Sequence, residues 1–305
     1  MTNPPVCDYT DSDYQTSFWD RGGRAYEDAA EALALKYLLP KSGDLLLEIG
    51  AGAGRNTLRY AGFERIVLLD YSRTQLEQAQ QRLSGSGKYV YVAADAYCLP
   101  FVDGLFDGAT MIRTLHHMSD APKVLAQAAR VLRPQSIFIL EFANKRNFKA
   151  ILRWLLGKQD WSPFTRKPVE FAMLNFDFHP GAVFDWLGEA GFSIEAKRTV
   201  SHFRLGLLKR LVPFKWLAML DGLFQPTGEW FQFTPSVFVR ARRMGQDNIP
   251  SLRDISAWFR CPECATSPLV QKTEALECPS CRRRYNVRDG IYDFREPMKP
   301  EKQVS

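Results

Sequence analysis

Histidine and cysteine are scarce in this chain, four and six residues among 305. No stretch reaches the roughly 20 consecutive apolar residues of a membrane-spanning helix. Met1 to Asp20 is polar and broken by Pro4 and Pro5, so it does not read as a secretory signal. With neither feature, the chain is expected to be soluble and cytoplasmic, and its cysteines to be thiols or metal ligands rather than disulfides. Its length suits one large α/β domain plus a small module.

Glycine is placed where it matters. Leu45 to Asn56 reads LLLEIGAGAGRN, an apolar run ending in Glu48 and then Gly50, Gly52 and Gly54. This is the pattern of a buried parallel strand, a tight turn, and a helix starting around Arg55 to Thr57. Glycines at alternate positions allow the sharp turn and leave no Cβ between the backbone and a nucleotide-like ligand. The dinucleotide fingerprint G-x-G-x-x-G/A fits badly, since its last small residue would fall on Arg55 or, one register on, Thr57.

The following strands continue the pattern. RIVLL, Arg65 to Leu69, ends at Asp70, where a carboxylate can accept from both hydroxyls of a ribose. YVYVAADAYCLPF contains Asp95 and Ala96, FDGATMIRTLHHM contains Arg113, His116 and His117, and a helix ending RVLRP at Arg130 to Pro134 precedes the strand SIFILEF. The series from about Asp44 to Glu141 resembles class I S-adenosylmethionine-dependent methyltransferases of the ubiquinone and menaquinone biosynthesis type. The resemblance implies S-adenosylmethionine as cofactor. Glu48 would face its cationic methionine end, Asp70 its ribose and Asp95 its adenine amino group. Gly50, Gly52 and Gly54 would carry the turn, and the neighbours Tyr71, Ala96 and Arg113 are counted with the same site. An ordinary strand-to-helix turn and a solvated strand end are the bland readings of the glycines and of Asp70.

A helix from about Ala25 to Leu39 precedes this core, with Ala30, Leu33 and Tyr37 on one face. The resemblance implies that it covers the pocket, with Arg24 or Tyr26 reaching the cofactor carboxylate; a packing helix with a solvated Arg is the alternative. After the core, a helix at His179 to Phe192, the strand SIEAKRTV and a last strand at Thr234 to Arg243 continue the family pattern. Insertions at 142–169 and 196–233 flank that helix and strand as lids. The first carries seven Lys or Arg against Asp160, and Ala196 to Leu220 carries six with no acid, so each is +6 in a chain of net charge +6. Phe148, Ile151, Leu152 and Leu155 are spaced as one helical stripe opposite Lys149 and Arg153. Leu207, Leu208, Leu211 and Val212 form another, and Phe214, Leu217, Leu220 and Phe224 follow. Basic, apolar, Trp-bearing lids suit an anionic or lipid-like substrate, peripheral contact with an anionic membrane, or RNA; solvated packing helices are the bland reading.

The C-terminus reads CPEC, thirteen residues, then CPSC. Cys261, Cys264, Cys278 and Cys281 have the spacing of a closed tetrahedral zinc site. Residues 259–296, ending in DGI-x-DF, resemble the small zinc-ribbon activator subunit that partners tRNA, rRNA and release-factor methyltransferases. Here it is fused through a linker at 244–258, with a tail at 297–305. Cys7 and Cys98 are left as ordinary thiols.

The expected architecture is α/β: an N-terminal cap helix within 1–40, a seven-stranded Rossmann-like methyltransferase sheet over 41–243 with helical insertions, and a small zinc ribbon. The expected activity is methyl transfer to a small or amphiphilic organic acceptor, with His116, His117 or His179 as general base. An RNA methyltransferase and a non-catalytic S-adenosylmethionine-binding or activator protein are the alternatives.

Overall fold

The computed structural model describes residues 4–5, 23–83, 87–246 and 255–298. Strands β1 (Gly43–Ile49), β2 (Phe63–Asp70), β3 (Tyr89–Ala93), β4 (Phe106–Met111) and β5 (Leu132–Ala143) run parallel in the order 3-2-1-4-5. Their unbroken apolar runs reflect cover on both faces: Leu46, Leu47, Ile66, Val67 and Leu68 are all within 1% of full burial.

Among the described residues seven helices accompany the sheet: α1 (Ala25–Leu38), α2 (Arg73–Leu83), α3 (Ala121–Val131), α4 (Phe148–Leu155), α5 (Pro180–Glu189), α6 (Gly206–Leu211) and α7 (Phe214–Phe224). One apolar layer joins α1, α2 and α7 to the sheet, and the other joins α3 and α5 to its opposite face.

The hairpin of β6 (Val169–Ala172) and β7 (Asn175–Asp177) lies apart from the main sheet. Strand β9 (Ser236–Arg243) pairs antiparallel with β5, and β8 (Phe192–Val200) antiparallel with β9, completing the expected seven strands.

Four short strands extend the sheet to eleven: β10 (Val270–Gln271), β11 (Ala275–Glu277), β12 (Arg284–Arg288) and β13 (Ile291–Asp293). Strand β13 pairs in parallel with β3, in the register Ile291↔Tyr91 to Asp293↔Ala93, so the exposed edge of β3 is capped by the chain's own C-terminal module. Segment 98–103 forms a second seam. Phe101 bridges to Phe259, Val102 N–H donates to Trp258 O at 3.0 Å and Arg260 N–H to Pro100 O at 3.0 Å. Phe259, fully buried, packs on Phe101, Tyr292 and Phe294. The part of the supposed linker that is described is therefore not free chain, because Trp258 is 1% exposed in the same core; residues 247–254 lie outside the described residues.

Several elements differ from expectation. Only eight residues separate Gly54 from Phe63, too few for a helix of ordinary length and a return to the sheet, so a 3-10 turn at Thr57–Tyr60 replaces the expected helix. Pro134 stands inside β5 rather than closing the preceding helix. On α1 the buried face is Tyr26, Ala30, Ala34 and Leu38 together with Glu27 and Glu31, while Tyr37 is exposed beside Arg198. Glu27 is held by Lys209 at 2.9 Å, which ties α6 to α1. The stripe on α7 is split: Leu217 is buried against α1, while Phe214, Leu220 and Phe224 are exposed.

Candidate active site and metal centre

The parallel strand order reverses direction between β1 and β4, and a cleft opens at the carboxyl ends there, the usual ligand position of an open α/β sheet. The cleft is open to solvent, and its interior holds about 120 Å³. The glycine turn forms its floor. Gly50, Gly52 and Gly54 have φ of +71°, +52° and +71°, the left-handed region that side chains disfavour. A Cβ on Gly50 would lie 2.1 Å from Thr114 Oγ1, so the turn and the end of β4 approach as closely as they do only because that position is glycine.

Asp70 braces the turn. Its Oδ2 accepts from Gly52 N–H at 2.8 Å and its Oδ1 from Ser72 N–H at 2.9 Å. These two bonds fix the plane of the carboxylate at the rim of the glycine turn. Asp95 accepts from Tyr97 N–H at 2.8 Å, and burial raises its pKa. Glu48, 5% exposed, accepts from the Thr57 hydroxyl at 2.6 Å; burial pushes its carboxyl up to about 7.

Arg113 stands at the end of β4 with φ +56°, a conformation non-glycine residues rarely adopt. Its backbone N–H donates to Glu141 Oε2 at 2.9 Å, and its guanidinium pairs with Glu31 of α1. Glu31 also accepts from Arg55 at 2.8 Å. Burial alone would push Glu31 up, but Arg113 and Arg55 overcome it and hold its carboxyl below the usual range. This buried network joins the cap helix to the cleft wall.

Glu48, Gly50, Gly52, Asp70, Tyr71, Asp95, Ala96, Arg113 and His117 are brought together around the cleft. Others of the expected set are not among its lining residues. Gly54 faces Leu83 and Ala79. The Tyr26 hydroxyl donates to Asp221 at 2.6 Å and accepts from Phe203 N–H, so this ring anchors α7 instead. Arg24 lies beside Glu27 at 3.5 Å. His179 caps α5, its Nδ1 accepting from Gly181 N–H at 3.1 Å, and burial lowers it to about 4. His116 packs against His117 with the ring planes tilted by 46°. Sequence reading missed Arg55, Asn56, Gln75 and Thr114, all lining residues within a few positions of the motifs. The signal for Arg55 was its place directly after the glycines.

His117 is fixed from outside the core. Its Nδ1 lies 3.1 Å from the carbonyl of Leu174, at the tip of the β6–β7 hairpin. A carbonyl only accepts, so Nδ1 carries the proton and Nε2 the lone pair. Burial lowers the pKa of this ring, which keeps it neutral.

The four cysteines form one cluster, with every sulfur within 4.8 Å of every other. The Cys261–Cys281 and Cys264–Cys278 sulfurs lie 3.7 and 3.4 Å apart, close to the roughly 3.8 Å edge of a tetrahedron with 2.3 Å metal–sulfur bonds. The two knuckles share one backbone pattern. Ala265 N–H donates to Cys261 O and Arg282 N–H to Cys278 O, and both donors have φ +62°. The donor set fits a thiolate-bound metal ion. Cys98 is separate, its thiol donating to Pro262 O at 3.1 Å, and Cys7 lies outside the described residues.

Residues 47–140 match the methyltransferase domain family. The stretch covers the glycine turn, both strand-end aspartates and the His117 segment. The domain is 37% identical over 125 residues to a 27-O-demethylrifamycin SV methyltransferase of Amycolatopsis mediterranei, spanning 38% of this chain and 46% of that one. It is 32% identical over 134 residues to a 2-phytyl-1,4-naphtoquinone methyltransferase of Trichormus variabilis, 41% and 58% of the two chains. The chain thus spans about half the length of the curated relatives it matches. A chain in the complex between the Haloferax volcanii Trm112 methyltransferase activator and a methyltransferase has the same fold, with TM-score 0.54 at 15% identity over 76% of this chain and 96% of that one.

Proposed function

We propose that the chain transfers a methyl group from S-adenosylmethionine to a small or amphiphilic organic acceptor. The observation that carries this is the convergence of the glycine turn, Asp70, Asp95 and Glu48 on one cleft within the stretch that matches the methyltransferase domain. Asp70 would hold the ribose, Asp95 the adenine, and Glu48 with Arg113 the charged methionine end. Bound there, S-adenosylmethionine supplies an electrophilic methyl. The protein's part is to orient the acceptor in line and exclude water. His117, with Nε2 as the lone-pair nitrogen, takes the acceptor's proton where the acceptor is a phenol or an enolisable carbon. The rifamycin and naphthoquinone relatives, by their names, support an organic acceptor.

We assign the four-cysteine module as a structural zinc ribbon whose β13 caps the β3 edge. Titration calorimetry with S-adenosylmethionine and S-adenosylhomocysteine tests the core of the proposal. Micromolar binding by the wild type, weakened at least about tenfold in Asp70→Ala, is expected from the loss of charge-assisted bonds. A folded, zinc-loaded sample that binds neither ligand overturns the reading.

A further inference from the structure

The basic insertions carry a large apolar surface that nothing in the chain covers. The ladder places Ala143, Ser236 and Val200 side by side at one edge of the sheet, the carboxyl edge where the cleft opens. Both insertions leave from this edge. Helix α4 follows β5 and, apart from Ala150, is not buried: Phe148, Leu152 and Leu155 are 68%, 46% and 66% exposed. It is tied to the chain entering β9, since Phe148 N–H donates to Phe233 O at 2.7 Å, and there Trp230 and the stacked Phe231 and Phe233 are also exposed. Helix α6 follows β8 and buries none of its residues; Leu207 and Leu211 are 69% and 72% exposed. Folded chains seldom leave this many large apolar side chains in water along one edge of a sheet without a use for them.

The charge says what covers it. Neither α4, nor α6, nor the stretch from Trp230 to Phe233 contains an Asp or Glu. Lys149, Arg153 and Arg210 are exposed, and among the described residues no carboxylate pairs with any of them. A second copy of the chain fits badly, because a two-fold contact would set these cations against themselves. Nucleic acid would use the cations but has no need of exposed leucines. An anionic lipid surface uses both: apolar side chains enter the acyl boundary while Lys and Arg meet the headgroups. We propose that α4, α6 and the Trp230 to Phe233 segment form one docking face for an anionic bilayer. The face is built from segments that leave the carboxyl edge of the sheet, where the cleft opens, so an amphiphilic acceptor would enter from the lipid.

Vesicle co-sedimentation of the full chain tests this independently of methyl transfer, which S-adenosylmethionine calorimetry reports separately. Phosphatidylcholine vesicles with about 30% phosphatidylglycerol should bind at least about tenfold more tightly than phosphatidylcholine alone. The double variants Leu207→Asp/Leu211→Asp and Leu152→Asp/Leu155→Asp alter exposed residues only. Each should lower that binding about tenfold or more while cofactor binding is unchanged. Three results overturn the proposal: no sedimentation with anionic vesicles by a cofactor-binding sample; vesicle binding that the aspartate variants leave intact; or a stable dimer in analytical ultracentrifugation that Leu152→Asp/Leu155→Asp dissociates while vesicles are not bound. Tight RNA binding that both aspartate variants weaken, without vesicle binding, assigns the face to nucleic acid instead.

Discussion

Burial holds the Glu48 proton up to about 7 in the folded chain, against 4.5 for an ordinary glutamate. The folded state therefore keeps this proton while the unfolded chain loses it. Glu48 costs the ligand-free protein stability progressively as pH rises from about 4.5 to 7. A cation placed beside it reverses the preference by favouring the carboxylate. S-adenosylmethionine binding near pH 7 should then release protons from the protein and tighten as pH rises from 6 to 8. Calorimetry in buffers of different ionisation enthalpy reads the release directly, and Glu48→Gln should abolish it. A wild-type heat that does not depend on the buffer would sink the assignment. For His117 the sign is opposite in kind: burial lowers its pKa from 6.5, so the neutral ring persists to a pH below that value and the acid limb of kcat/KM should lie there too. His117→Gln should lower kcat by about 10²- to 10⁴-fold with cofactor affinity little changed. A variant that keeps the wild-type rate removes the ring from the proton path.

Element by element, the sequence announced what is local. A run of buried residues ending in an acid and three alternate glycines could be placed to within a residue or two, because a parallel strand and a left-handed turn leave their mark on consecutive positions. The acids at the ends of β1 and β2 were visible for the same reason. Contacts that close over long separations were not. Glu31 reads as one more charge on a helix, and only the fold puts it between Arg55 and Arg113. Tyr26 looked free to meet a ligand until α7 brought Asp221 to its hydroxyl. The β13–β3 pairing involves a three-residue strand, too short to carry any period, so the family ending could suggest a ribbon but not where it docks. Since Phe259 is the side chain on which both seams converge, Phe259→Ala should cost about 3–5 kcal/mol, read by chemical denaturation. A loss under 1 kcal/mol would mean that the module is only loosely attached.

At the scale of the whole molecule, the ribbon and the cofactor cleft share one strand. Strand β3 pairs with β13 on one side and with β2 on the other, and the chain leaving β3 passes Ala94, Asp95 and Ala96 in the cleft wall. On the ribbon side Phe294 N–H donates to Ala93 O at 2.7 Å, and Arg295, paired with Asp293, lies over the Tyr71 ring. The module's strands are two to five residues long, so under the proposed zinc assignment its fold would depend on metal ligation, with zinc contributing on the order of 10 kcal/mol in comparable peptides. Losing the metal should therefore free the β3 edge and loosen the adenine side of the cleft together. Titrating the thiols with a mercurial should release one zinc ion per chain, as one four-cysteine cluster implies. It should also lower the melting temperature and weaken S-adenosylhomocysteine binding in step with the zinc released. Thiol reduction and added zinc should restore all three. Zinc release that leaves ligand affinity unchanged would confine the ribbon's influence to its own fold, because the shared strand would then transmit nothing across its hydrogen bonds.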